Sequence, residues 1–103
     1  MDLSVFEEII GYNFKDKELL TRALTHSSYA NEVRGNAHSN ERLEFLGDSV
    51  LSVIVADHIY HKYPNLPEGE LTRLRASLVC EKSLCALSRE LGIGKHLSLG
   101  RGE

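Results

Sequence analysis

Apolar residues recur at three- and four-residue spacings along nearly the whole chain, and no stretch alternates with period two for long enough to make a strand. The pattern predicts an all-α domain. A first helix is expected from about Leu3 to Ile10, with Asp2 or Ser4 near its start and Gly11 as its stop. The stretch "YNFKDKELLTRALTHSSY" predicts a second helix capped by Asp16, with Leu19, Leu20, Ala23 and Leu24 on the buried stripe. "ANEVRGNAHSN" is polar, contains Gly35, and reads as a surface loop.

Ser39 or Asn40 is placed to cap a long central helix that lasts until "HKYPNLP", where Pro64 and Pro67 end it. A further helix starts near Glu68, and another covers roughly Glu81 to Leu91, closed by Gly92. The glycine-containing end, "IGKHLSLGRGE", reads as a loop. Neither a repeat nor a linker interrupts this order, and 103 residues with 42% hydrophobic content suit one domain around one core.

Charge and cysteines narrow the setting. A formal charge of −3 offers no general attraction for a polyanion, so any nucleic-acid contact has to be local. No apolar run approaches the roughly 20 residues needed to span a bilayer, and the acidic, amphipathic start is unlike a secretion signal. Cys80 and Cys85 lack metal-type spacing and are expected as free, buried or half-buried thiols. A soluble protein of a reducing cytoplasm is the expectation.

The central helix carries the candidate chemistry in "NERLEFLGDSVLSVIVADHIY". At about 100° per residue, Glu41, Glu44 and Asp48 fall within roughly 60° of one another, with Leu43, Leu46, Val50 and Ile54 on the opposite side. Like charges at these spacings repel. One reading is the solvated side of an ordinary amphipathic helix, with Glu41 favoured by the helix dipole. Yet the acid-bearing side continues into Leu51, Val55 and Ile59, which suits a helix running into the core, and Phe45 lies about 40° from Glu41, where an exposed aromatic hints at an interface. Clustered carboxylates at a core boundary also suit hard cations such as Mg²⁺ or Mn²⁺, which take oxygen ligands. Gly47, just before Asp48, leaves room for a close approach.

Other candidates are weaker. His58 and His61 stand at i, i+3 without a third ligand and read as helix-end histidines. His26 could act on Ser27 or Ser28 as base on nucleophile, but without an orienting acid it reads as helix termination.

"NERLEFLGDSVL" resembles the ribonuclease III family of dimeric, metal-dependent endonucleases that cleave double-stranded RNA, and "LLTRALTHSSYANE", "HKYPNLPEGELTRLRASLV" and "LGRGE" resemble the bacterial enzyme in the same order. The resemblance covers essentially the whole chain. It implies the endonuclease-domain helical fold and processing of precursor ribosomal and messenger RNA, with products bearing a 5′ phosphate and a short 3′ overhang. Glu44 would be a ligand of the catalytic Mg²⁺, with Mn²⁺ a possible substitute. Asp48 would be an essential carboxylate that orients the metal and its water, and Glu41 and Glu68 auxiliary acids. Phe45 would fill a socket on the second subunit of a homodimer. Arg73 and Arg75 are candidates for contacts to RNA phosphates, the usual source of duplex affinity, with ordinary surface or interface charges as the equal alternative, and Arg101 in its glycine-rich loop is a candidate for substrate contact or a plain tail residue.

The resemblance also implies a second acidic pair on a later helix and a separate RNA-binding domain, both beyond Glu103. Residues 1–103 are therefore expected to be the N-terminal portion of the endonuclease domain, truncated before its last helices and inactive alone. The alternative is a non-catalytic, ribonuclease III-like RNA-binding or dimerisation module.

Overall fold

The computed structural model describes residues 3–32 and 38–100, so Asp2, Gly35 and Arg101 lie outside the described residues. Helices α1 (Leu3–Ile10), α2 (Lys17–Ala23), α3 (Ser27–Glu32), α4 (Glu41–Lys62), α5 (Glu68–Leu78) and α6 (Glu81–Leu91) are followed by a 3-10 turn at Ile93–His96. Among the described residues no strand forms, in keeping with the all-α pattern; one isolated parallel bridge joins Thr25 to Ser98.

The expected punctuation holds at most helix ends. The Asp16 carboxylate accepts the Glu18 N–H at 3.0 Å, capping α2. Gly11 and Gly92 adopt φ of 72° and 69°, where a side chain is strained, and the Gly92 N–H closes α6 onto the Ser88 and Arg89 carbonyls. Helix α4 ends at Lys62, and Pro67 sits at the N-cap of α5.

Local pattern loses to tertiary pairing in one place. The helix expected through "LLTRALTHSSY" breaks at Leu24–His26 into α2 and α3. There the backbone pairs with residue 98: the His26 N–H donates to the Ser98 carbonyl at 3.0 Å and the Ser98 N–H to the Leu24 carbonyl at 2.8 Å. These bonds replace the intrahelical ones that continuation would have made. Helix α3 then runs to Glu32, into the stretch expected as loop, and the expected C-terminal loop contains the 3-10 turn and the bridge.

One core cluster gathers Phe6, Leu20 and Leu24, with Leu3, Ile10, Phe14, Ile93 and Leu97 packed around it. Leu19, expected on the buried stripe, is instead exposed, because α2 turns Leu20 and Leu24 toward α1. Both cysteines are free, but both are exposed and not buried. Helix α6 is half-buried through Ser83, Ser88 and Leu91, which leaves Cys85 on the solvent side.

A buried carboxylate ties α1 to α2. Glu7, 3% exposed, accepts from Lys17 Nζ at 2.6 and 2.8 Å and from the Phe14 N–H. The hydrogen-bonded Lys17 ammonium, then the Phe14 N–H, hold its pKa below the ordinary 4.5, and burial opposes them less strongly. Because the folded value is depressed, the contribution to stability is present above the unfolded pKa and lost as pH falls through the folded one. Glu7→Gln is therefore expected to melt several degrees below the unmodified chain at pH 7, with the gap closing below about pH 4. Thermal unfolding at both pH values checks this, and a gap independent of pH would contradict it.

Beyond this core the molecule is drawn out, with extents of 53 × 26 × 22 Å and a radius of gyration of 16.2 Å, against about 13 Å for a compact chain of this length. Helices α4 and α5 are in contact, with Ala56 and Ile59 of the first and Leu71 and Arg75 of the second around one hollow. Ile59 is the buried residue of α4, and Leu51 and Val55 are half-buried. The acid-bearing half of α4 does not run into a core. Leu46, Val50, Val53 and Ile54 are exposed, so the face expected to be apolar stands open along several turns. A helix apolar on most sides is normally covered, and an exposed apolar stripe of this length marks an interaction surface.

Candidate active site

The start of α4 is fixed by one residue acting on two neighbours. Asn40 donates its backbone N–H to the Thr25 carbonyl at 2.8 Å and its side-chain Nδ2 to the Ala23 carbonyl at 2.9 Å. Its own carbonyl accepts the Glu44 N–H at 2.7 Å. Asn40 thus occupies the N-cap position, but its side chain makes no capping bond to α4. Ser39 Oγ accepts the Glu41 N–H at a long 3.4 Å instead. The expectation that Ser39 or Asn40 caps the helix is half right: the position is correct, but the asparagine amide serves the end of α2.

From this anchor α4 presents Glu41, Glu44 and Asp48, all exposed, as one stripe. Glu41 and Glu44 lie in the first turn, where the helix dipole favours negative charge. Asp48 lies one turn further on, beyond most of that benefit. Phe45, between them in sequence, is 81% exposed. Gly47 also stands open, with nothing within 4 Å of where a Cβ would be.

The other expected site residues within the described stretch lie on α5. Glu68 opens α5 and lies with Ala56, Ile59 and Tyr60 around a shallow hollow. That is about 16 Å along α4 from Asp48 at 1.5 Å per residue. Arg75 is half-buried between α4 and α5, beside Ser52, Ala56 and Asp57. Arg73 is exposed and ion-paired with Glu70 one turn before it. Within one chain, Glu68 therefore stands well down α4 from the stripe, whereas Arg75 lies beside Ser52, one turn beyond Asp48 on the same face.

The donor chemistry of Glu44 and Asp48 suits a hard cation, since both offer carboxylate oxygens from one helix face. Three such side chains do not converge anywhere among the described residues. His61 hydrogen-bonds the Asp57 carbonyl at 2.8 Å and lies 3.5 Å from its carboxylate, as a helix-end histidine does. His26 Nδ1 meets Ser28 Oγ at 2.7 Å and the Ser28 N–H at 3.1 Å, and Ser28 Oγ also accepts the Gly100 N–H at 2.8 Å. The histidine closes the start of α3, in agreement with its reading as a terminating residue.

Residues 16–103 match the family model described as Ribonuclease-III-like. The chain belongs to the ribonuclease III family. It is 59% identical to Ribonuclease 3 of Symbiobacterium thermophilum over 93% of its own length and 40% of that protein's. It is 54% identical to Ribonuclease 3 of Bacillus cereus over 96% of its length and 41% of that protein's. The crystal structure of the nuclease domain of ribonuclease III from Campylobacter jejuni superposes with a TM-score of 0.86 at 40% identity, covering 99% of this chain and 66% of that one. A second structure of that domain, concerned with flexibility in a region involved in dimer formation, gives 0.84 at 42% identity, covering 95% and 65%. The chain thus spans about two fifths of the length of these full-length ribonuclease III relatives. Its helices are those of the ribonuclease III nuclease domain.

Proposed function

We propose that this chain forms part of a divalent-metal-dependent endoribonuclease for double-stranded RNA, serving the processing of precursor ribosomal and messenger RNA in the cytoplasm. The observation that carries the reading is the pair Glu44 and Asp48, exposed one turn apart on one face of α4, in a member of the ribonuclease III family. No helix among the described residues is long and apolar enough to cross a membrane.

Glu44 and Asp48 are the side chains placed to hold Mg²⁺, or Mn²⁺ in its stead, and Glu41 reinforces the negative field at the start of α4. When bound, such an ion supplies Lewis acidity toward the phosphodiester and lowers the pKa of a coordinated water. Two carboxylates leave most of an octahedral sphere to water, phosphate oxygens and groups outside the described residues. Glu68 then acts from elsewhere than the Glu44–Asp48 face of its own chain. Arg73, Arg75 and Arg101 are assigned to phosphate contacts along the duplex, and Arg73 would exchange Glu70 for a phosphate on binding.

Phe45 is assigned to the contact between two copies. For the whole protein, Phe45→Ala is expected to weaken self-association by about thirtyfold, as for a central aromatic anchor of about 2 kcal/mol. Sedimentation across a dilution series measures this, and an unchanged mass at every concentration would reject the role.

The function is tested by incubating a long RNA duplex and Mg²⁺ with this chain and with one extended through the rest of the nuclease domain. Cleavage by the extended chain alone, leaving 5′ phosphates, is the expected result. A bound but uncut duplex would favour the non-catalytic module instead.

A further inference from the structure

We infer that Asn40 is a positioning residue for the acid pair, working through its side-chain amide as a clamp between α2 and α4. The inference rests on the metal-dependent reading of Glu44 and Asp48 given above.

An asparagine at an N-cap ordinarily turns its side-chain oxygen onto its own helix, and aspartate or serine does this equally well. Asn40 does not. Its amide N–H is directed to the carbonyl of Ala23, the last residue of α2, seventeen positions earlier. Its backbone N–H is directed to Thr25, in the segment that also pairs with Ser98. The two donors grip carbonyls two residues apart at one junction, and the carbonyl of the same residue receives the Glu44 N–H. Glu44 is therefore one hydrogen bond away from an anchor in the core-bearing part of the molecule. The exposed stretch that follows, from Glu44 to Val50, lacks a half-buried residue of its own. Orientation of the two carboxylates has to be imposed from the ends of α4, and at the N-terminal end it is imposed by Asn40.

The chemistry separates this role from capping. A cap needs an acceptor, whereas the clamp needs a donor facing the Ala23 carbonyl. Aspartate keeps the first and loses the second, and it sets a negative oxygen against a carbonyl oxygen. Asn40→Asp should therefore fail as a clamp although it ranks with asparagine as a cap. Asn40→Gln retains the donor on a longer arm and should recover part of the function.

Two measurements decide the matter. In the 103-residue chain, amide hydrogen exchange at Glu44 is expected to quicken about tenfold in Asn40→Asp, the worth of one hydrogen bond, while exchange at Ile59 stays unchanged. In the chain extended through the nuclease domain, kcat on duplex RNA is expected to fall about a hundredfold. Its KM for RNA is expected to hold, half-saturation by Mg²⁺ to rise, and Asn40→Gln to lie between. Wild-type exchange and kcat in Asn40→Asp would overturn the inference, leaving Asn40 an ordinary cap. Equal acceleration at Glu44 and Ile59 would also overturn it, because the residue would then hold the fold as a whole. If the extended wild-type chain cuts no duplex, the nuclease reading fails, and the exchange comparison still reports on the clamp.

Discussion

Asp48→Asn is expected to abolish duplex cleavage by the extended nuclease, lowering kcat by about a thousandfold or more, and to leave the fold intact. The two effects separate because Asp48 is exposed and pairs with no described residue. Surface changes of that kind normally move stability by no more than about 0.5 kcal/mol. Asparagine keeps the shape and one oxygen but removes the negative charge that a hard cation requires. Losing several kcal/mol of charge stabilisation in the transition state corresponds to three or more powers of ten in rate. Cleavage of a long duplex with Mg²⁺, alongside melting curves for both proteins, provides the check. A mutant that melts normally and still cuts within tenfold of wild type would remove Asp48 from the catalytic centre.

Gly100→Ala is the change expected to damage the fold most for its size. The alanine Cβ would lie 2.8 Å from the carbonyl carbon and oxygen of Ser28 and 2.9 Å from its Cβ. Those atoms are largely backbone at the start of α3, so no flexible side chain can swing away. Gly100 is also buried, and its N–H is committed to Ser28 Oγ. Overpacking of this type costs about 1–3 kcal/mol. For a domain of this size that lowers the melting temperature by roughly 5–20 °C. Calorimetry or circular dichroism on heating tests the figure, and an unchanged midpoint would mean that the 97–100 segment can lift off α3 without cost. In that event the Thr25–Ser98 pairing contributes little to the junction.

The helices were legible because their signals are local. Apolar spacing, Asp16, Gly11, Gly92 and Pro67 act within a turn or two of the residues they govern, and each sits where its chemistry predicts. The break between α2 and α3 was not legible, since it depends on Ser98, more than seventy residues away, taking the hydrogen bonds of Leu24 and His26. Asn40 shows the same limit. Its identity suits a cap, and nothing near it in sequence reveals that its amide reaches Ala23. Glu7 was likewise invisible among the acids of α1 until Lys17 and Phe14 closed around it. As for the site, spacing alone was enough to find the stripe of Glu41, Glu44 and Asp48. It could not reveal that Leu46, Val50 and Ile54 stand open, because a pattern of apolar residues marks a surface that prefers cover and does not say which surface covers it.

Considered mechanically, α4 is a rod about 33 Å long, gripped at one end by Asn40 and at the other by α5, with an unsupported span between. Such a rod yields at its weakest section. Gly47 lies in that span, and glycine is about 1 kcal/mol poorer than alanine at holding a helix. Glu44 and Asp48 stand on either side of it, so the gap between their carboxylates is the dimension that widens or narrows when the rod flexes. If the two acids share an ion as proposed, compliance at a single glycine becomes the tolerance with which they can be brought to it.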